Sequence, residues 1–306
     1  MIYRVCAVIV TYNRKELLAR NLDSLIKQTY PLDILVYDNA STDGTKVFLE
    51  ERGYLDKENV IFIQGDKNRG GAGGFCNGEK EAVKRGYDFL WLMDDDGYCI
   101  NEYTLEECIK HYNPNKKRII NSYILCNPET KELTFNLGPY KTDDDVRKMA
   151  DNDVFYGFGN PYNGTLVPRQ CFEEIGYTDD RFFIYGDEND FCFRSQNAGY
   201  EWITPLDSLY YHPINRQIEQ KTFIGFKYYV MEQPIWKFYI ENRNSFYLKM
   251  KYCSGNKSIR IIKNMVRIIL SALSSKDKKL KRIKWGLLGL SDGIKDNFDR
   301  PIPFKE

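Results

Sequence analysis

The chain has no Cys-x-x-Cys pair and only two histidines. It also has no apolar run near the roughly 20 residues that a membrane-spanning helix needs. Its eight cysteines, at 6, 76, 99, 108, 126, 171, 192 and 253, are scattered. In a chain of this length they read as free thiols of a reducing compartment rather than as a disulfide framework. Proline (11) and glycine (22) are at ordinary levels, which excludes collagenous and low-complexity classes. An excess of charge of either sign is lacking too. Lys plus Arg (44) nearly cancels Asp plus Glu (43), giving +1, which argues against a nucleic-acid partner. The first fourteen residues contain one apolar segment, Val5–Val10. It is too short for the apolar core of a secretion signal and reads as a buried strand. The expected location is the cytoplasm.

What is present is an alternation of two periodicities. Val5–Val10 is strand-like, and residues 13–28 place Leu17, Leu18, Leu22, Leu25 and Ile26 at helical spacing. Ile34–Tyr37 predicts a second strand, 45–52 a helix and Val60–Gln64 a third strand. A glycine cluster at 70–74 reads as a loop, followed by a helix over 77–85 and a strand over 88–93. Strand–helix repeats with short connections predict an α/β fold whose sheet is mostly parallel and flanked by helices. A helical turn is expected near 103–112 and a polar, acidic loop at 142–151. Residues 154–212 are rich in aromatics and glycine, and the chain beyond about 213 reads mainly as helix. The expected division is a catalytic domain over 1–215 and a helical C-terminal region over 216–306.

In such sheets ligands bind at the carboxyl ends of the strands. Those ends here are Thr11-Tyr12-Asn13, Asp38-Asn39, the loop around 66–74 and Asp94-Asp95-Asp96. The three carboxylates follow the apolar strand Phe89–Met93 and repel one another unless a cation is present. Alternate residues Asp94 and Asp96 can face one hard divalent ion, for which oxygen ligands suit Mg²⁺ or Mn²⁺. Asp143-Asp144-Asp145 follows no apolar strand and reads as a solvated turn. Asn68-Arg69-Gly70-Gly71-Ala72-Gly73-Gly74 precedes a helix, so its glycines allow either close approach of a ligand or a flexible turn. Asp187, Glu188 and Asp190 lie among Phe182, Phe183 and Tyr185, where a raised pKa would suit a general base; they also suit an acidic helix start. His111 sits in a polar stretch. His212 follows Leu209-Tyr210-Tyr211 and can be structural or complete an oxygen-rich metal site.

Four motifs in order resemble glycosyltransferase family 2, inverting enzymes with the GT-A fold. They are Val8-Ile9-Val10-Thr11-Tyr12-Asn13-Arg14, Val36 to Thr45, Leu92-Met93-Asp94-Asp95-Asp96, and Gly186 to Arg194. The stretch Asn68 to Phe75 is most similar to the galactofuranosyltransferase branch, and rhamnosyltransferase-like members share much of the rest. The resemblance implies that Thr11, Tyr12 and Asp38 hold a nucleotide, with Asn68 and Arg69 nearby and Asp95 facing the donor sugar. It implies Asp94, Asp96 and His212 as ligands of Mn²⁺ or Mg²⁺, and Glu188 as catalytic base. The family's pair reads Glu-Asp, whereas here Asp187 precedes Glu188, which leaves open which of the two takes the proton. A UDP-sugar donor, UDP-galactofuranose first, and a glycan or lipid-linked acceptor are the implied partners. Tyr156, Phe158, Trp202, Phe182 and Phe183 are candidates for an acceptor channel, though core packing is the commoner fate of each.

Residues 249–284 hold twelve Lys or Arg and one acid, Asp277. Ile259, Ile262, Val266, Ile269 and Leu270 recur there at helical spacing beside Lys257, Arg260, Lys263 and Arg267. Such a helix can lie on an anionic membrane surface, pack on the catalytic domain, or form a homo-oligomer contact. The remaining chain is correspondingly acidic. Two other classes fit parts of the pattern. A sugar nucleotidyltransferase would carry a glycine-rich loop where Thr11-Tyr12-Asn13-Arg14 stands, and a non-catalytic binding module would tolerate loss of Asp187 and Glu188.

Overall fold

The computed structural model describes residues 2–214 and 219–304. Two compact units divide the chain, Met1–Asp180 with Phe191–Ile214, and Arg181–Asp190 with Asn215–Glu306. The first begins β1 (Val5–Thr11), α1 (Lys15–Ile26), β2 (Leu32–Asp38), α2 (Thr45–Glu51), β3 (Val60–Gln64), α3 (Gly70–Lys84) and β4 (Phe89–Asp94). It continues with β5 (Tyr98–Cys99), α4 (Thr104–Lys110), β6 (Arg118–Asn121), β7 (Tyr123–Asn127), β8 (Glu132–Leu133), α5 (Asp143–Met149), β9 (Val154–Tyr156), β10 (Asn163–Pro168) and α6 (Arg169–Ile175). After α7 (Asp187–Asn197) come β11 (Glu201–Pro205) and β12 (Leu209–Tyr211).

The main sheet has eight strands in the order β3-β2-β1-β4-β10-β6-β11-β9. Its first four are mutually parallel, and β10 runs antiparallel to both β4 and β6. Every residue of β1 is buried. Val5, Ala7 and Ile9 join one core beneath α1, while Cys6, Val8 and Val10 join another that includes Phe75 and Phe172. A strand covered on both faces reads as an unbroken apolar run, which is why Val5–Val10 was legible. A smaller sheet, β5-β12-β7-β8, carries the segment that leads to His212.

Two local expectations are corrected. The glycines at 70–74 are not a loop: they form the first turns of α3, which starts at Gly70. A Cβ on Gly74 would stand 2.3 Å from Val10 Cγ1, and one on Gly78 2.6 Å from Val8 Cγ1. The glycines therefore let α3 lie directly on β1. Residues 142–151 are largely helix, because Thr142 caps α5 by accepting from the Asp145 N–H at 3.1 Å. Asp143, Asp144 and Asp145 fill the first turn, where the helix dipole favours negative charge. Beyond 213 the chain is mainly helix, as expected, with α8 (Ile235–Tyr252), α9 (Lys257–Ser274) and α10 (Lys279–Ile294) preceded by a β-hairpin, β13 (Glu219–Phe223) and β14 (Phe226–Val230).

Glu79 on α3 is fully buried, and its carboxylate accepts from the Thr178 N–H at 2.8 Å and from the Thr178 hydroxyl at 2.7 Å. Burial pushes its pKa up from 4.5 to about 7 against those bonds. A raised carboxyl favours folding most below the unfolded pKa and loses that contribution as pH climbs through the folded one. Stability should therefore fall by about 1.4 kcal/mol per pH unit between about 4.5 and 7 on account of this group. Glu79→Gln is expected to flatten that slope in urea unfolding series, and an unchanged slope would assign it to other groups.

Candidate active site

The site grows from the carboxyl edge of the parallel strands. Backbone in the left-handed region at Asn13 (φ 55°) and Ala40 (φ 63°) turns the chain sharply after β1 and β2. Asn13 Oδ1 accepts from the Thr42 N–H at 2.7 Å, and the Asn13 N–H donates to Ser41 Oγ at 2.9 Å, so the two loops brace each other. Asn39 ties β2 to α3 by donating from Nδ2 to the Gly70 carbonyl at 2.9 Å.

Three ligand atoms, one each from Asp94, Asp96 and His212, lie within 4.8 Å of one another. Asp94 ends β4, Asp96 is two residues on, and His212 directly follows β12. The Asn21 amide donates to the Asp94 carbonyl at 3.0 Å and the Arg20 guanidinium to the Asp96 carbonyl at 3.0 Å, which fixes the turn. Arg20 lies over the Tyr98 ring, itself stacked on Tyr211 at 4.6 Å, so the strand pair that delivers His212 is held to the same helix. His212 Nε2 is 3.2 Å from Asp96 Oδ1, and its Nδ1 is 2.8 Å from the Pro213 carbonyl. A carbonyl at Nδ1 takes the ring proton there and would leave Nε2 to face a bound ion.

Electrostatics follow from this crowding. Burial and then the charges of Asp96 and Asp95 push Asp94 up to about 7. Burial raises Asp95 to about 6, although Arg14 and the Thr11 hydroxyl (2.8 Å from Oδ2) hold it down. Burial works upward on Asp96 as well, yet His212 and Arg14 outweigh it and keep its carboxylate below the usual range. Arg14 Nη1 lies 3.1 Å from both Asp95 Oδ1 and Asp96 Oδ2. Two carboxylate oxygens and an imidazole nitrogen form a donor set suited to Mn²⁺ or Mg²⁺, and the excess negative charge that lifts Asp94 is what such an ion offsets. Among the described residues no other group of three His, Cys, Asp or Glu side chains is so placed.

Thr11 is buried at this edge, and Tyr12 is exposed. Asp38 is buried, with Oδ1 accepting from the Ser41 hydroxyl at 2.5 Å and from its N–H at 3.0 Å. Its Oδ2 is buried without a hydrogen-bond partner among the described residues, an acceptor free for a ligand N–H. Burial raises the Asp38 pKa, opposed by Ser41. Asn68 accepts from the Gly70 N–H at 2.7 Å, and Arg69 pairs with Asp66 at 3.0 Å. His111, after α4, is not part of the cluster.

Asp187 and Glu188 belong to the second unit and open α7. Asp187 is buried, and Glu188 is half-buried with Oε2 accepting from the Gly186 N–H at 3.0 Å. Asp190 is engaged by Lys251 at 3.0 Å and by the Tyr252 hydroxyl at 2.7 Å, a structural role. The backbone before them is contorted, with left-handed φ at Phe183 (66°) and Tyr185 (67°). Asn244 of α8 holds it by donating to the carbonyls of Phe182, Ile184 and Tyr185 at 2.8–2.9 Å. Buried Arg243 adds bonds to the carbonyls of Arg181 and Phe182. Sequence reasoning missed this clamp; its one signal is a polar Arg-Asn pair inside an aromatic helix. Of the channel candidates, Trp202 and Phe182 are core residues, at 1% and 0% exposure, and Trp202 Nε1 donates to Ser195 Oγ. Tyr156 and Phe158 are exposed.

A sequence profile described as Glycosyl transferase family 2 matches residues 6–174. Galactofuranosyltransferase GlfT1 of Mycobacterium tuberculosis is 32% identical over 218 residues, 68% of this chain and 70% of that protein. The chain belongs to glycosyl transferase family 2. It is a glycosyltransferase, which sets aside the nucleotidyltransferase and binding-module readings. The dTDP-rhamnosyl transferase RfbF of Shigella flexneri is 24% identical over 295 residues, 95% of each chain. Among solved structures, the mannosyltransferase PcManGT of Pyrobaculum calidifontis, in complex with GDP-Man and Mn²⁺, superposes with a TM-score of 0.55 at 16% identity. That match covers 99% of this chain and 77% of the other, and it shows the GT-A fold.

Proposed function

We propose that this enzyme transfers galactofuranose from UDP-galactofuranose, with inversion, to a glycan or lipid-linked oligosaccharide of a cell-surface polysaccharide such as an O-antigen or capsule. The observation that carries the donor site is the Asp94–Asp96–His212 cluster on the same sheet edge as the unpartnered Asp38 Oδ2. The galactofuranosyltransferase at 32% identity supports the sugar. A uracil ring presents an N–H that Asp38 Oδ2 can accept, and exposed Tyr12 offers a face for the base. Thr11, Asn68 and Arg69 complete the nucleotide side, and Asp95, oriented by Thr11 and Arg14, meets the donor sugar. Asp94, Asp96 and His212 would hold Mn²⁺ or Mg²⁺, which when bound neutralises charge on the departing diphosphate.

The pair Asp187–Glu188 is assigned the acceptor proton, with Glu188 as base. The deprotonated hydroxyl oxygen forms the new bond to the anomeric carbon while the bond to the diphosphate oxygen breaks on the opposite face. One displacement inverts the configuration and needs no nucleophile from the protein. Loosening the segment that presents the pair should slow this step. Asn244→Ala is expected to lower kcat by roughly 10- to 100-fold with little change in donor KM. Unchanged kcat would show that the clamp serves stability alone.

A second reading, rhamnosyl transfer, is favoured by the full-length match to RfbF. Mass spectrometry of products from UDP-galactofuranose, UDP-galactopyranose and dTDP-rhamnose separates the two. The proposal expects incorporation from the first donor, and incorporation from dTDP-rhamnose alone would replace it.

A further inference from the structure

Helix α9 is apolar on two opposite faces. Inward, Ile261 and Ile268 pack with Phe238, Phe246 and Leu290, flanked by buried Asn264, Ser271 and Ala272. On the opposite side Ile259, Ile262, Val266 and Leu273 are 52%, 60%, 40% and 48% exposed. Their steps of three, four and seven residues place them on one stripe. The apolar period legible in the sequence is therefore the outward stripe, not the packing face. Within the same unit β14 packs along α9, with the Arg267 guanidinium over the Phe226 ring at 5.4 Å and the Tyr228 hydroxyl 3.0 Å from Ser274 Oγ. Arg267 follows Val266 and Ser274 follows Leu273, so the hairpin sits on the flank of the stripe. Its turn is Phe223-Ile224-Gly225-Phe226, with Ile224 89% and Phe223 53% exposed.

The charge around this surface is predominantly positive, with Asp277 the one acid between residues 249 and 284. A cleft of about 360 Å³ between the end of α8 and α9 is lined by Lys249, Arg260, Lys263 and Arg267 and by no carboxylate. Lys249 donates to Asn264 Oδ1 at 3.1 Å, and its pKa is lowered by burial and then by Arg267. Exposed Lys276, Lys278, Lys279 and Lys284 continue the basic surface, beside Leu280 at 82% exposure. A second copy of the chain would bring this same excess of cations against itself, which disfavours a symmetric dimer here. Apolar side chains bordered by an excess of cations match a layer of acyl chains beneath anionic phosphates.

We propose that the C-terminal unit docks on an anionic phospholipid bilayer, with the Ile259–Leu273 stripe and the Phe223–Phe226 turn entering the headgroup boundary and Lys249, Lys263 and Arg267 taking headgroup phosphates. This rests on neither the donor nor the base assignment. Flotation of the full chain with phosphatidylglycerol–phosphatidylcholine vesicles, and with phosphatidylcholine alone, tests it without any sugar nucleotide. Binding is expected to the anionic vesicles only, and to weaken in about 1 M salt, where the Debye length is about 3 Å. Lys263→Glu with Arg267→Glu should weaken it roughly tenfold or more. Ile224→Glu with Ile262→Glu should abolish it at a wild-type melting temperature, since both side chains are exposed. The proposal is overturned by no binding to anionic vesicles, by equal binding to phosphatidylcholine alone, or by undiminished binding of either double variant. A dimer in sedimentation that Ile262→Glu breaks, without vesicle binding, would overturn it in favour of a second copy.

Discussion

Asp96→Asn is expected to lower kcat by on the order of 1,000-fold and to remove the dependence of the residual rate on Mn²⁺. Asp96 is the carboxylate of the three that His212 and Arg14 keep ionised, so it is the one most ready to take a divalent ion. The amide conserves shape but offers one neutral acceptor in place of a charge. Folding should survive, because the lost pairing with Arg14 and His212 is partly offset by relief of the repulsion that Asp96 exerts on Asp94 and Asp95. Thermal melts with and without Mn²⁺ separate the effects. The wild type should gain stability on adding the ion, whereas the variant, which loses the charge that pairs with Arg14 and His212, should melt somewhat below the ion-free wild type and gain little from the ion. Full activity in Asp96→Asn would remove this residue from the ligand set.

Glu188→Gln should lower kcat by about 100- to 10,000-fold while leaving UDP binding and its metal dependence intact. A base acts on the acceptor proton and not on the nucleotide, so the loss belongs in kcat. One oxygen of Glu188 is engaged by the Gly186 N–H, which would aim the carboxylate and leave the other oxygen for the proton. Asp187 is buried at the helix start, and Asp187→Asn measured alongside decides the order of the pair. A loss confined to Asp187→Asn would move the base by one residue. Full transfer in both variants would contradict base catalysis by this pair.

Much of the sheet-edge cluster was legible because it is written in strand ends. A run as short as Phe89–Met93 within a strand–helix alternation reads as a strand covered on both faces, so the acids that follow it fall at the carboxyl edge. His212 was legible only as a residue after a short strand. What brings it to Asp96 is the pairing of β12 with β5 and β7, a long-range contact that local periodicity does not encode. Arg14 was quoted within a motif, but its bridge between Asp95 and Asp96 depends on the turn of α1 over the sheet edge. Glycine misled in the opposite way. Gly70–Gly74 looked like a flexible loop because propensity counts backbone entropy alone, whereas contact with Val10 and Val8 requires a helix surface without side chains. In α9 the helical period was legible but its partner was not, since a helix with two apolar faces gives no sign of which one packs.

A UDP-sugar site completed by a divalent ion at Asp94, Asp96 and His212 makes nucleotide binding depend on the ion, which calorimetric titration of UDP measures. Wild-type protein should bind UDP in Mn²⁺ and lose roughly tenfold or more of that affinity when the ion is chelated. Equal affinity in Mn²⁺ and in chelator, or no UDP binding in either, would contradict it.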